Sequence, residues 1–261
     1  MTDSTGITTV LAVVNDAGSA GKSTSVVSMA ASLAARGRTV LVVDLDPQAN
    51  ATFWLGVDPE TVARNAGDVL LRQVTFEDAV LPTNTAGVTL LPGSVALRQQ
   101  RVELGKVPGG EQRLRKALKA SSAEVVLIDC QAGAGEFFPF AAMVAATGVV
   151  TVTFPATKEL EGIPRVEAMI QDVADAYERE LPLSAIIPCN VPSINRGNLY
   201  RDAMTMLRES YGDLVTPEVR QSVTAATAYA QCEPLLTHAP SAGVTQDYEA
   251  VVDYLIARGV L

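Results

Sequence analysis

The run Asn15-Asp16-Ala17-Gly18-Ser19-Ala20-Gly21-Lys22-Ser23-Thr24 follows the apolar segment Val10-Leu11-Ala12-Val13-Val14 and leads into a helical pattern that begins near Lys22. Strand, small-residue loop and helix, in that order, are what a phosphate-binding loop requires. Small side chains at 17–21 let backbone N–H groups curl around phosphate oxygens without Cβ clashes. The helix behind them adds the positive end of its dipole. On this reading Gly18, Ser19, Ala20 and Gly21 cradle the phosphates of a nucleotide and Lys22 reaches the β- and γ-phosphates. Ser23 places a hydroxyl on Mg²⁺, and Thr24 bonds the α-phosphate. The strict pattern G-x-x-x-x-G-K-S/T asks for glycine at 16, where this chain has Asp16. The alternative is a glycine-rich turn that merely opens a helix. It is outweighed by the agreement of strand, loop, Lys-Ser-Thr and helix.

Two acidic strand ends support the nucleotide reading. The second apolar run ends Val42-Val43-Asp44-Leu45-Asp46-Pro47-Gln48. Acids at i and i+2 of an extended chain point to one side, and a parallel sheet gathers its strand ends beside the phosphate loop. Asp44 is therefore expected to support Lys22 and the Mg²⁺ shell, and Asp46 to orient or deprotonate an attacking water. Taken alone, the pair also fits polar residues leaving a strand. The later run Val125-Val126-Leu127-Ile128-Asp129 has the Walker B form, with Asp129 near Mg²⁺ through water. Cys130 after it reads as a packed small residue. The loop 131–135 holds two glycines and is expected to shift with the γ-phosphate, as switch loops do.

Apolar β-branched runs at 8–14, 39–44, 87–91, 124–129, 148–154 and 183–190, with a weaker one near 214–219, alternate with amphipathic stretches. The latter read as helices at 22–36, 60–71, 75–80, 95–105, 109–120, 136–146, 160–179, 197–211, 223–230 and 244–258. Continuous apolar strands imply burial on both faces. Their alternation with helices implies an α/β fold with a doubly wound, mostly parallel sheet. Pro182 and Gly105–Gly110 mark loops, so the 261 residues are read as one domain.

With 48% hydrophobic and 19% charged residues, the composition suffices for a large core and argues against disorder. No apolar run reaches the length of a membrane span, and the N-terminus has no basic n-region of a signal peptide. Cys130, Cys189 and Cys232 are scattered without metal spacing and fit a reducing cytoplasm. The lone His238 sits in a loop-like stretch and reads as inert. A net charge of −9 argues against a constitutive nucleic-acid binder, so any such contact needs a local patch.

Together these residues resemble the ParA/MinD group of deviant-Walker ATPases and, within it, the ParA-type partition proteins. The resemblance covers most of the chain. The run 15–24 stands where the family has Asn-Gln-Lys-Gly-Gly-x-Gly-Lys-Thr-Thr. Asp44-Leu45-Asp46-Pro47-Gln48-Ala49-Asn50-Ala51-Thr52 is the most specific match, and Ile128-Asp129-Cys130 is the third motif. Pro155 through Gly162 looks like the family segment after the sixth strand. Ile187-Pro188-Cys189-Asn190 looks like the strand end whose Asn lies near the base. The resemblance implies Asn190 and Pro217 in the nucleotide set, a P-loop ATPase with ATP and Mg²⁺, and slow hydrolysis stimulated by a ParB-like or other cargo-bound partner. It further implies an ATP-sandwich homodimer, non-specific DNA binding and a cytoplasmic, nucleoid-associated location. Three positions depart from the family. Ala17 replaces the signature lysine, which in relatives crosses to the other subunit's phosphates; Ser19 replaces a glycine; and Gln131-Ala132 replaces Pro-Pro.

Two ATP molecules at an interface bring about eight negative charges, and leaving them unneutralised in a partly desolvated site costs several kcal/mol. Among the five lysines, Lys158 follows a strand by a short turn on the nucleotide side of the sheet, so it is expected to supply the missing charge in trans. Some family members that position protein cargo also lack the usual lysine and are thought to use one after this strand. The plain alternative is an exposed lysine capping a loop. For nucleic acid, Arg196 matches the family's arginine best, with Arg201, Arg208 and Arg220 nearby. Residues 196–261 nevertheless carry five Arg, no Lys and eight acids. A second cluster, Arg113, Arg115, Lys116 and Lys119, reads equally as a solvated helix face. The C-terminal segment 244–258 is amphipathic but acidic, which excludes the membrane-binding role of the MinD branch. A protein cargo such as a microcompartment, a dethiobiotin-synthetase-like ligase and a nucleotide-binding adaptor remain as rivals.

Overall fold

A computed structural model describes residues 9–16, 21–133, 136–192 and 198–261. All its named strands belong to one seven-stranded sheet. These are β1 (Thr9–Val14), β2 (Val40–Leu45), β3 (Leu81–Pro82), β4 (Val88–Leu91), β5 (Val125–Cys130), β6 (Gly148–Thr153) and β7 (Leu183–Pro188). Their order is β3-β4-β2-β5-β1-β6-β7, and every pairing is parallel except β3 with β4. The helices are α1 (Lys22–Ala35), α2 (Asn50–Trp54), α3 (Ala66–Leu71), α4 (Phe76–Ala79), α5 (Leu97–Leu104), α6 (Arg113–Ala117) and α7 (Phe137–Ala145) in the first half. They continue as α8 (Thr157–Leu160), α9 (Gly162–Tyr177), α10 (Asn198–Tyr211), α11 (Val223–Ala230), α12 (Leu235–His238) and α13 (Gly243–Ala257).

The two-residue alternation of each strand explains the layers. In β1, Val10, Ala12 and Val14 enter a core with α3, α5, α6, α7 and α9. Leu11 and Val13 enter the opposite core with α1, α2, α12 and α13. Both faces are covered, so the strands are apolar throughout, as the sequence patterning predicts. A smaller cluster of Ile163, Ile186, Met204, Leu207 and Val215 seats α10 beyond β7.

The fold class agrees with the sequence reading, and several boundaries do not. The helix expected over 60–71 begins only at Ala66. Asn65 accepts the N–H groups of Gly67 and Asp68 while Asp68 accepts the Asn65 N–H, a reciprocal cap that fixes the start. The stretch 109–120 breaks into a short α6 between two 3₁₀ turns, and 160–179 divides at Glu161. The weak strand at 214–219 is reduced to isolated bridges, Ile186 to Val215 and Val191 to Arg220. The short elements β3, α2 and α12 are additions. β1 lies between β5 and β6, so the chain reverses its winding direction there and the strand ends open a crevice.

Candidate functional site

The loop into α1 turns at Gly21, whose left-handed φ of 92° favours glycine, and the Ser25 N–H donates to its carbonyl at 2.8 Å. Lys22 is the first residue of α1 and is buried. Its Nζ donates to Asn15 Oδ1 at 2.8 Å. Burial pulls the ammonium pKa down, while the charges of Asp129 and Asp46 favour the protonated form. Residues 17–20, which include Gly18, Ser19 and Ala20 of the expected cradle, lie outside the described residues.

Asp44 and Asp129, 85 residues apart in the chain, are register partners on β2 and β5 and are fully buried. Their environments differ. Asp44 Oδ1 accepts the Asp46 N–H at 3.0 Å; Oδ2 accepts the Thr52 N–H at 2.9 Å and its hydroxyl at 2.7 Å. Thr52 Oγ1 accepts the Gly93 N–H at 2.8 Å. Asp44 was read as a Mg²⁺ residue, yet both its oxygens are spent on holding the β2–α2 connection, and with it Asp46. Burial pushes its carboxyl pKa up to about 6 against those bonds.

Asp129 has no hydrogen-bond partner of normal geometry on either oxygen among the described residues. Burial, then the charge of Asp44, holds its carboxyl well above the usual carboxylate range; the Ser23 hydroxyl and Lys22 pull the other way. An orphaned buried carboxylate beside a serine hydroxyl fits Mg²⁺, which takes one or two carboxylates and fills its octahedron with water and phosphate. Among the described residues no group of three or more His, Cys, Asp or Glu forms a metal cage.

The packing around Asp44 leaves no slack. A Cβ on Gly93 would stand 2.9 Å from Asp44 Cγ and 3.1 Å from its backbone oxygen. Gly93→Ala is therefore expected to lower stability by about 1–3 kcal/mol, read as a fall in Tm of several degrees. An unchanged Tm would show that this approach is not tight.

The crevice is a cleft of about 560 Å³. Lys22, Ser23, Thr24 and Asp46 line its phosphate side; Asn190, Arg220, Ser222, Trp54, Tyr229 and Tyr248 line the remainder. Asn190 leaves β7 with φ 57°, a left-handed conformation that asparagine tolerates. Asp46 Oδ1 accepts the Gln48 N–H at 2.8 Å. Trp54 and Tyr229 meet edge-on with ring centroids 5.4 Å apart, and Tyr229 Oη donates to Asn50 Oδ1 at 3.0 Å. Sequence reasoning missed these aromatics. Asn50 stood in the quoted motif, but nothing marked its partner 179 residues later.

The remaining expected residues fall in different places. Pro217 is half-buried in the segment bridged to β7 and does not line the cleft. Arg220, read as a nucleic-acid residue, lines the cleft and is clamped by Asp247 through Nε–Oδ2 at 2.6 Å and Nη2–Oδ1 at 2.8 Å. Arg208 pairs with Glu218 at 2.7 Å. Arg201 is exposed on α10, and Arg196 lies outside the described residues. Lys158 is exposed on α8. Glu159 and Gly162, one and four residues further on, lie beside Asp16, which Arg165 of α9 engages as an ion pair.

A family model described as an AAA domain, AAA_31, matches residues 8–183. The chain is 30% identical over 249 residues to the chromosome-partitioning ATPase Soj of Thermus thermophilus, covering 95% of each. The chain belongs to the ParA/MinD family of Walker ATPases. The ParA/MinD fold recurs in a solved structure of cobyrinic acid a,c-diamide synthase from Mycobacterium smegmatis with bound ATP analogue and magnesium. That structure has a TM-score of 0.84 and 28% identity over 97% of this chain and 96% of that one. Apo McdA of Cyanothece has a TM-score of 0.85 at 22% identity over 95% of this chain and all of its own, a likeness of fold. The pinned Asp44 and the cleft-facing Asp46 belong to the second of the matched motifs, and the buried Asp129 to the third. Ala17, Ser19 and Gln131-Ala132 are where this member departs.

Proposed function

We propose that this chain is a partition or positioning ATPase that binds ATP with Mg²⁺ and pairs into a sandwich dimer in that state. The observation that carries this reading is the convergence of Lys22, Ser23 and Asp46 on one cleft, with the unsatisfied, buried Asp129 behind Ser23 and Lys22. Ser23 and Asp129 would hold Mg²⁺, which supplies charge neutralisation at the β- and γ-phosphates. Lys22 exchanges its Asn15 bond for phosphate oxygens. Asp44 fixes the Asp46 backbone, and Asp46 orients the attacking water and takes its proton. A partner bound to the cargo, ParB-like in the partition reading, stimulates this slow step, and hydrolysis reopens the dimer.

Plasmid or chromosome DNA is the proposed cargo, with non-specific binding to nucleoid DNA by the dimer through Arg196 and Arg201. The pairing of Arg208 and Arg220 with acids favours a second reading, a protein cargo. Size-exclusion chromatography with ATP, ADP and no nucleotide tests the core proposal: an ATP-dependent dimer supports it, and a monomer in every condition overturns it. DNA binding by the ATP dimer then separates the two cargoes.

Lys158 is proposed to contact the partner subunit's nucleotide. Its side chain makes no hydrogen bond or ion pair among the described residues. Lys158→Ala is expected to weaken ATP-dependent dimerisation about 100-fold, since one charge-assisted hydrogen bond, worth about tenfold, is lost at each of the two equivalent sites. If the variant dimerises and hydrolyses ATP like the parent, the assignment is wrong.

A further inference from the structure

Asp46, Gln48 and Ala132 line two clefts at once. One is the nucleotide cleft. The other, about 420 Å³, is also lined by Pro47, Gln131 and two arginines of α5, Arg98 and Arg101. Its charged lining is thus two cations facing Asp46. Arg101 is engaged by Glu136, which also accepts from Gln131 Nε2 at 3.2 Å. Arg98 is exposed, and its side chain makes no hydrogen bond or ion pair among the described residues. It stands in the first turn of α5, where the helix dipole disfavours a cation, and that turn contains no acid to offset it.

At the phosphate side of the nucleotide cleft the carboxylates of Asp129 and Asp46 both act on a single lysine, Lys22, and Asp44 stands beside Asp129. A terminal phosphate adds further negative charge there. Guanidinium groups suit such a ligand because their planar donors bond two phosphate oxygens at once. We propose that Arg98, acting in the same subunit, binds the γ-phosphoryl group of ATP across Asp46 from Lys22, with Arg101 as the second cation of that subsite. This rests on the nucleotide reading of the main cleft and names its source of missing charge within one chain. Lys158, by contrast, acts between subunits.

The distinguishing property of a γ-phosphate residue is discrimination between tri- and diphosphate. The affinities of the full chain for Mg²⁺ with a non-hydrolysable ATP analogue, and for Mg²⁺ with ADP, are measured by calorimetry on the parent, Arg98→Ala, Arg98→Lys and Arg98→Gln. Arg98→Ala and Arg98→Gln are expected to lose about tenfold in affinity for the analogue while ADP affinity stays within about twofold, and Arg98→Lys to recover part of the loss. The unchanged ADP affinity also reports correct folding. An analogue-to-ADP ratio equal to the parent's in Arg98→Gln or Arg98→Ala overturns the proposal. A parent that binds neither nucleotide overturns the ATPase reading itself and the Arg98 assignment with it.

Discussion

Asp46→Ala is expected to lower ATP hydrolysis by about 10²–10³-fold, within the range for loss of a positioned general base, while ATP binding persists. Asp46 is half-buried at the cleft. Its N–H is held by Asp44 and its Oδ1 by the Gln48 N–H. Those two bonds fix the residue in place, and Oδ2 has no hydrogen-bond partner among the described residues, so it is available for water. Lys22, Ser23 and Asp129 are untouched by the substitution, so the ATP-bound form accumulates, and the dimer predicted above persists in ATP for hours instead of cycling. Single-turnover hydrolysis with size-exclusion chromatography measures both effects. Parent-like hydrolysis would remove Asp46 from the chemistry.

Asp129→Asn carries the second large effect, with opposite consequences for the apo and loaded protein. Burial, and the charge of Asp44, raise the Asp129 pKa well above the ordinary value; burial raises Asp44 to about 6. For both acids the folded chain holds its proton more tightly than the unfolded chain, so the native state binds more protons as pH climbs from about 4. Their stabilising contribution is complete below the unfolded pKa. It is lost as pH rises through about 6 for Asp44 and, for Asp129, as pH rises through its own raised pKa. Without Mg²⁺, the protein is thus expected to melt lower at pH 8 than at pH 6. Asparagine removes the buried charge at 129, so the apo Tm at pH 8 rises by several degrees and the slope flattens. The same change deprives Mg²⁺ of its carboxylate, and Mg²⁺-dependent stabilisation by ATP falls about 10–100-fold in effective affinity. Melting curves from pH 5 to 8, with and without Mg²⁺ and ATP, read both. A variant with the parental pH slope and Mg²⁺ response would remove Asp129 from the metal site.

The phosphate-loop helix and the acids at 44, 46 and 129 were legible because each is written in a contiguous run. The strands that carry them are apolar on both faces, and the acids end those runs. What was not legible depends on distant partners. Arg220 reads as a surface cation until Asp247, from α13, closes on it. Asp44 reads as a metal ligand until Thr52 and the Asp46 N–H occupy its oxygens. Arg98 carried no local signal, since its place beside Asp46 comes from the packing of α5. The helix over 60–65 failed because the Asn65 cap outweighs apolar spacing. α2 escaped notice because its N-cap is Ala49, with φ 51°, and not a polar capping residue. β3 is two residues long and ends in proline.

The chain contains one tryptophan, Trp54. It is 3% exposed, its Nε1 donates to the Glu233 carbonyl at 2.7 Å, and it borders the nucleotide cleft against Tyr229. All indole emission from this protein therefore originates at the wall of its nucleotide site. Nucleotide entry can be followed as a change in intrinsic fluorescence, with no label and no engineered chromophore.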